Sequence, residues 1–193
     1  DRPDSLMHAA GWDHVTLVGS NAEDTIAFYR DVLGLRLVIR QPNLDRAEVE
    51  HLFFDAGDGR LVTFFVDESR ESAERQDPGV GAVHHLAFRI EAADLPEIRD
   101  RLHEAGHGVS EYDRGAFHSL YTHDHNGLVI ELAADKYEIP DDRRAEILAR
   151  AHAARVDDGA DYIDSEHLET ALAELGLPVK PNALPDAATG RDF

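Results

Sequence analysis

Residues 83–106, VHHLAFRIEAADLPEIRDRLHEAG, repeat the plan of residues 12–34, WDHVTLVGSNAEDTIAFYRDVLG: an alternating run near whose start a histidine stands, then a helix that closes on a glycine. His14 matches His85 at an offset of 71, and Gly34 matches Gly106 at an offset of 72. In the first copy Ser20 or Asn21 can cap a helix whose Ile26, Tyr29, Val32 and Leu33 recur at helical spacing. Three strand-like runs follow, LRLVIRQ, VEHLFFDAG and RLVTFFVDE, the last two joined by a turn at Asp58 and Gly59. The second copy continues in the same way with GVSEYDR, FHSLYTHD and GLVIELAAD, and His125, Asn126 and Gly127 form its last turn. Each copy is therefore a βαβββ unit, and the internal repeat decides the fold more firmly than any single segment.

A four-stranded sheet cannot bury both faces alone. The pattern predicts an α+β fold in which two βαβββ units pair edge to edge into an open, curved mixed sheet, with helices outside and a cavity within. Unit one spans residues 11–68 and unit two residues 82–135, together one domain over 11–135, with the acidic, Pro/Gly-punctuated stretch ESRESAERQDPGVG as linker. Residues 136–193 differ in kind: two helices, RRAEILARAHAAR and EHLETALAELG, and a proline-rich tail. This helical C-terminal extension is expected to cover an edge or the mouth of the cavity, or to stand clear of the site.

Charge narrows the function classes. There are 39 acidic residues against 19 basic ones, a net charge of −20, and only Lys136 and Lys180 are lysines. Such a chain does not bind nucleic acid by neutralising phosphates. An acidic, lysine-poor surface fits a protein that stays hydrated in concentrated salt, so a halophilic source is expected. No apolar run is long enough to cross a bilayer and the N-terminal residues lack a signal-peptide pattern, so a soluble, cytoplasmic protein is expected. Cysteine is absent, which excludes disulfides and thiolate chemistry.

His14 and His85 occupy equivalent strand positions, and Glu131 lies in the final strand between Ile130 and Leu132. A carboxylate in such apolar company needs a partner, a proton or a cation. Two histidines and one carboxylate leave up to three positions open on a divalent metal, the arrangement that non-haem Fe(II) oxygenases use. His84 raises a separate question. In a regular strand, neighbours point to opposite faces, so at most one of His84 and His85 enters a given cavity. Phe53, Phe64 and Phe117 are candidates for an apolar wall, His51 for an outer residue or gate. His123 and His125 are expected in solvent on a hairpin, and His103, His107, His152 and His167 at the surface.

The double βαβββ repeat resembles the vicinal oxygen chelate superfamily, which includes glyoxalase I, extradiol dioxygenases, fosfomycin-modifying enzymes and bleomycin-binding proteins. The resemblance covers residues 11–135. It implies metal ligands from the first and last strands of each unit, here His14, Thr63, His85 and Glu131. Thr63 stands where glyoxalase I generally has a carboxylate, so the resemblance implies three ligands: His14, His85 and Glu131. The runs FYRDVLGLRLV, EHLFF, LVTFF, VHHLAFRI and DRGAFHSLYTHDHNGLVIEL resemble more closely the hydroquinone-type ring-cleaving dioxygenases. Members of that group usually have four such units, where this chain has two.

That likeness implies His84, Arg114 and Tyr121 around the substrate, and it departs at Asp13, where the group often has a histidine. The expected protein is an Fe(II) enzyme, with Mn, Zn or Ni as other possible metals. It cleaves a catechol or hydroquinone ring with dioxygen, its partners being a small aromatic diol and a second copy of itself in a homodimer. The competing expectations are a glyoxalase-type or fosfomycin-type metal enzyme and a non-catalytic binding protein.

Overall fold

A computed structural model describes residues 11–187 of the 193-residue chain; residues 1–10 and the end of the expected tail, 188–193, lie outside the described residues. Chain contacts divide it into two compact units, the first holding the N-terminal βαβββ repeat, the second the other repeat together with the helical extension. The first repeat contains β1 (His14–Gly19), α1 (Ala22–Ile26), β2 (Arg36–Pro42), β3 (Glu50–Asp55) and β4 (Leu61–Val66). The second contains β5 (His85–Ile90), α2 (Leu95–Glu104), β6 (Ser110–Asp113), β7 (Phe117–His123) and β8 (Val129–Asp135). The α+β architecture of two βαβββ units of open, mixed sheet is the one the repeat predicts, its strands lying in two four-stranded sheets. Backbone pairing stays within each unit: the orders are β1-β4-β3-β2 and β5-β8-β7-β6, with the first strand parallel to the last in both.

The period of two sorts each sheet into a helix-facing side and an open side. In the first unit Leu52, Phe54, Val62, Phe64 and Val66 are buried beside Phe28 and Tyr29 of the helical segment. Each such side chain contributes about 1.5–3 kcal/mol by leaving water. Phe64 therefore belongs to this core, not to a cavity wall as its sequence context suggested. The helix begins with Asn21 Oδ1 accepting from Asp24 N at 2.9 Å and widens to a π-helical turn over Ala27–Val32, where Leu33 N donates to Phe28 O at 3.0 Å. The turn Asp124–Gly127 between β7 and β8 packs with this first unit. Tyr29 donates to Asp124 Oδ2 at 2.7 Å and Ser20 to Asn126 Oδ1 at 2.6 Å. His125 is drawn in with it, half-buried against Thr25 at 3.1 Å, whereas His123 stays exposed as expected. Gly127, at φ +75°, has the Arg75 backbone where a Cβ would stand, so no side chain fits there.

The extension folds as α3 (Arg144–Asp157) and α4 (Ser165–Glu174) around a core of Tyr137, Ile147, Ala151, Leu168, Ala171 and Leu172. Contrary to the surface position expected for it, His167 is only 3% exposed. It caps α4 reciprocally: Asp164 Oδ1 accepts from the His167 backbone N–H, and His167 Nδ1 accepts from Asp164 N at 3.0 Å. Arg144 joins the extension to the second sheet, chelating Asp135 at 2.9–3.2 Å and lying 4.7 Å over the Phe117 ring.

Candidate metal and substrate site

Registers place His14 and Thr16 of β1, Thr63 and Phe65 of β4, and His51 and Phe53 of β3 on the open side of the first sheet. Asp13 Oδ1 accepts from His14 Nδ1 at 2.6 Å, which fixes the ring proton on Nδ1 and leaves Nε2 with a lone pair. The aspartate that departs from the dioxygenase pattern thus orients the His14 ring. Thr63 is fully buried and occupied by protein: its hydroxyl donates to Thr16 Oγ1 at 2.7 Å and meets His51 Nε2 at 3.2 Å. His51 lies tilted over Phe53 and edge-on to Phe65, with ring centroids 3.9 and 4.5 Å away. Burial lowers the His51 pKa and favours its neutral form.

On the open side of the second sheet stand His85 of β5, Glu131 of β8, Ser119 and Tyr121 of β7, and Tyr112 of β6. His85 Nε2 lies 3.0 Å from Glu131 Oε2, and Ser119 Oγ donates to Glu131 Oε1 at 2.7 Å. Glu131 is 8% exposed, so these contacts, with a hydrogen bond to Tyr121, answer the burial of a carboxylate flanked by Ile130 and Leu132. Tyr121 also accepts from Arg114 Nε at 3.1 Å. The Arg114 guanidinium sits between two rings, 4.8 Å from Tyr112 and 5.0 Å from Tyr121. Burial raises the Tyr121 pKa, Arg114 opposes that and Glu131 adds to it, so Tyr121 remains a proton donor at neutral pH.

His84 precedes the first paired residue of β5, so the pleat does not send it to the opposite face. Its Nδ1 instead lies 3.0 Å from His85 Nδ1. With one proton on the His85 ring, that proton sits on Nε2 toward Glu131, and Nδ1 accepts from His84. For Nε2 to serve as a ligand the ring proton has to move to Nδ1, where His84 Nδ1 can accept it.

His85 and Glu131 fit a divalent ion. Two donors held at right angles about 2.1 Å from a metal stand about 3.0 Å apart, the spacing seen between Nε2 and Oε2. Among the described residues no group of three or more His, Asp or Glu side chains is already gathered for a metal. A cavity of about 380 Å³ in the second unit lies at the far ends of β5 and β8, lined by Ile90, Tyr137 and Leu177 among others, and so is not part of this site. Ser119 and Tyr112 are the contacts that sequence reading passed over, while Asp13 was noted there only as a departure from the dioxygenase pattern. Ser119 was within reach of that reading, since Phe117, Ser119 and Tyr121 alternate onto one face.

Two sheets of this topology, each with a histidine on its first strand, define a paired-βαβββ fold. Residues 11–132 match the model of the Glyoxalase/Bleomycin resistance protein/Dioxygenase superfamily, and the chain belongs to that superfamily, also called vicinal oxygen chelate. Two Bacillus subtilis relatives carry the name "Putative ring-cleaving dioxygenase": MhqE is 30% identical over 54% of this chain and 35% of its own length, and MhqA 30% identical over 65% and 40%. The chain thus spans about two fifths or less of these relatives. The fosfomycin resistance protein FosX of Listeria monocytogenes, solved with Mn(II) and sulfate, shares the fold with a TM-score of 0.51 at 20% identity, over 66% of this chain and 93% of FosX. Metal-dependent dioxygenase, glyoxalase and fosfomycin-resistance roles all occur on this fold, and among the described residues no helix is long and apolar enough to cross a membrane.

Proposed function

We propose that the protein is a non-haem Fe(II) ring-cleaving dioxygenase acting on a catechol or hydroquinone, with His14, His85 and Glu131 as metal ligands. The observation that carries this reading is the His85–Glu131 pair, spaced at 3.0 Å and bordered by Tyr121 and Arg114. Bound iron would act as a template and conduit of charge between a diol and dioxygen. The protein does the rest. Glu131, buried and already hydrogen-bonded, contributes negative charge without having to reorganise. Tyr121 and Arg114 are the donors available to oxygen charge on the substrate, Tyr121 turning its one proton away from Glu131 as substrate binds, and the two tyrosine rings hold the guanidinium in place. His84 takes up a proton from the substrate hydroxyl on Nδ1, giving up its contact with His85 Nδ1 as it does so, and returns it.

His14 joins the set from the same chain or from a second copy, in a homodimer that works in the cytoplasm. Fosfomycin-type chemistry, with Mn(II) as a Lewis acid and no redox change, is the second reading, favoured by the likeness to FosX. A glyoxalase-type site is disfavoured because Thr63 spends its hydroxyl on Thr16 and His51. The test is dioxygen consumption by anaerobically Fe(II)-loaded protein given hydroquinone, chlorohydroquinone or catechol. One dioxygen consumed per diol with a ring-opened product is expected. No uptake with any diol, together with turnover of a hemithioacetal or fosfomycin, would overturn the reading.

A further inference from the structure

Ser119 is fully buried on the open side of the second sheet, and its hydroxyl donates to Glu131 Oε1 at 2.7 Å while Oε2 faces His85 Nε2 at 3.0 Å. The two oxygens of one carboxylate are thereby made unequal. We propose that Ser119 is a positioning residue that commits Glu131 to binding the metal through Oε2 alone. The inference rests on the metal-site reading above and deepens it.

The consequence follows from counting positions. A six-coordinate ion with two histidines and one carboxylate oxygen keeps three positions open, enough for both oxygens of a catechol and for dioxygen. A carboxylate that chelates through both oxygens leaves two, and a bound catechol then fills them. A hydroxyl on Oε1 competes with that second bond, since a buried carboxylate oxygen deprived of its donor seeks another partner. The ion stands next to it, and Tyr121, which also bonds Glu131, has only one proton to give. Ser119 therefore acts on the number of positions left free, not on substrate directly.

Mn(II) alone is the probe, read by water-proton relaxation and by affinity in equilibrium titration. Wild-type protein is expected to bind Mn(II) with three exchangeable waters, and Ser119→Ala to bind it with one fewer, so that relaxivity per bound ion falls by about a third. Ser119→Thr keeps the hydroxyl on a strand position that suits a β-branched side chain, and is expected to restore the wild-type relaxivity. Equal relaxivity in Ser119→Ala and wild type, or a loss in Ser119→Thr equal to that in Ser119→Ala, overturns the role of the hydroxyl. Failure of the metal-site reading looks different: His85→Ala would bind Mn(II) as the wild type does, or neither would bind it.

Discussion

Replacing Glu131 by Gln removes one charge and leaves the shape almost unchanged, so its effect on the metal-free fold can be separated from its effect on metal binding. In the metal-free protein the amide oxygen still accepts from Ser119, and the amide NH2 takes the place of Oε2 opposite His85 Nε2, 3.0 Å away. His85 can adapt by carrying its proton on Nδ1, toward His84. What is lost is the charge assistance of these bonds, about 1–2 kcal/mol, or a melting temperature lower by about 2–8 °C for a chain of this size. Metal linkage is the larger quantity. An ion at one hundred times its dissociation constant stabilises the folded state by about 2.7 kcal/mol, an upward shift of about 5–10 °C. Thermal unfolding followed by circular dichroism, with and without Mn(II), should show that shift in wild-type protein and less than about 2 °C in Glu131→Gln. An equal Mn(II) shift in both proteins would refute the assignment of Glu131 as a ligand.

If the Tyr121 hydroxyl serves the substrate oxygens as proposed, replacing it by Phe should leave metal content unchanged and lower kcat about a hundredfold; a loss of metal would assign Tyr121 a different role. Burial, ahead of their carboxylate partners, raises Tyr29, Tyr121 and Tyr137 above the ordinary phenol value of 10.0. A raised folded-state pKa favours the protonated native state, so this stability is complete below pH 10 and lost as pH rises past it. Absorbance at 295 nm should show these phenols ionising together with unfolding; their ionisation in a chain still folded by circular dichroism would contradict it. Leu168→Ala opens a void in the core of the extension and should cost about 2–5 kcal/mol, with faster amide exchange in α3 and α4. Unchanged exchange there would show that this core does not hold the two helices.

The repeat was legible because hydrophobic periodicity and helix-ending glycines are local signals, and His14 and His85 fell into equivalent places through it. Glu131 stood out because a carboxylate between Ile130 and Leu132 contradicts its surroundings. Partner choice across strands was less accessible. Ser119 meets Glu131 only through the β7–β8 register, and Arg114 meets Tyr121 only once the chain turns at Gly115. Phe64 and Phe53 are one strand position out of phase with each other relative to their sheet faces, and only the register with β1 shows that Phe64 joins Tyr29 while Phe53 shares a face with His14. His167 read as a surface residue because its helix is amphipathic and polar at that end; its burial comes from capping, with Asp158 and Asp164 on its two ring nitrogens. His84 departed from strand alternation because pairing begins one residue later.

If the His85–Glu131 pair and a His14 hold a redox-active metal, crystals grown from anaerobically Fe(II)-loaded protein and measured on both sides of the iron absorption edge will show it. One anomalous peak is expected, bonded to His85 Nε2, to a single oxygen of Glu131 and to the Nε2 of a His14. A peak that leaves His85 or Glu131 uncoordinated, or no peak at all in protein that is otherwise ordered, would contradict it.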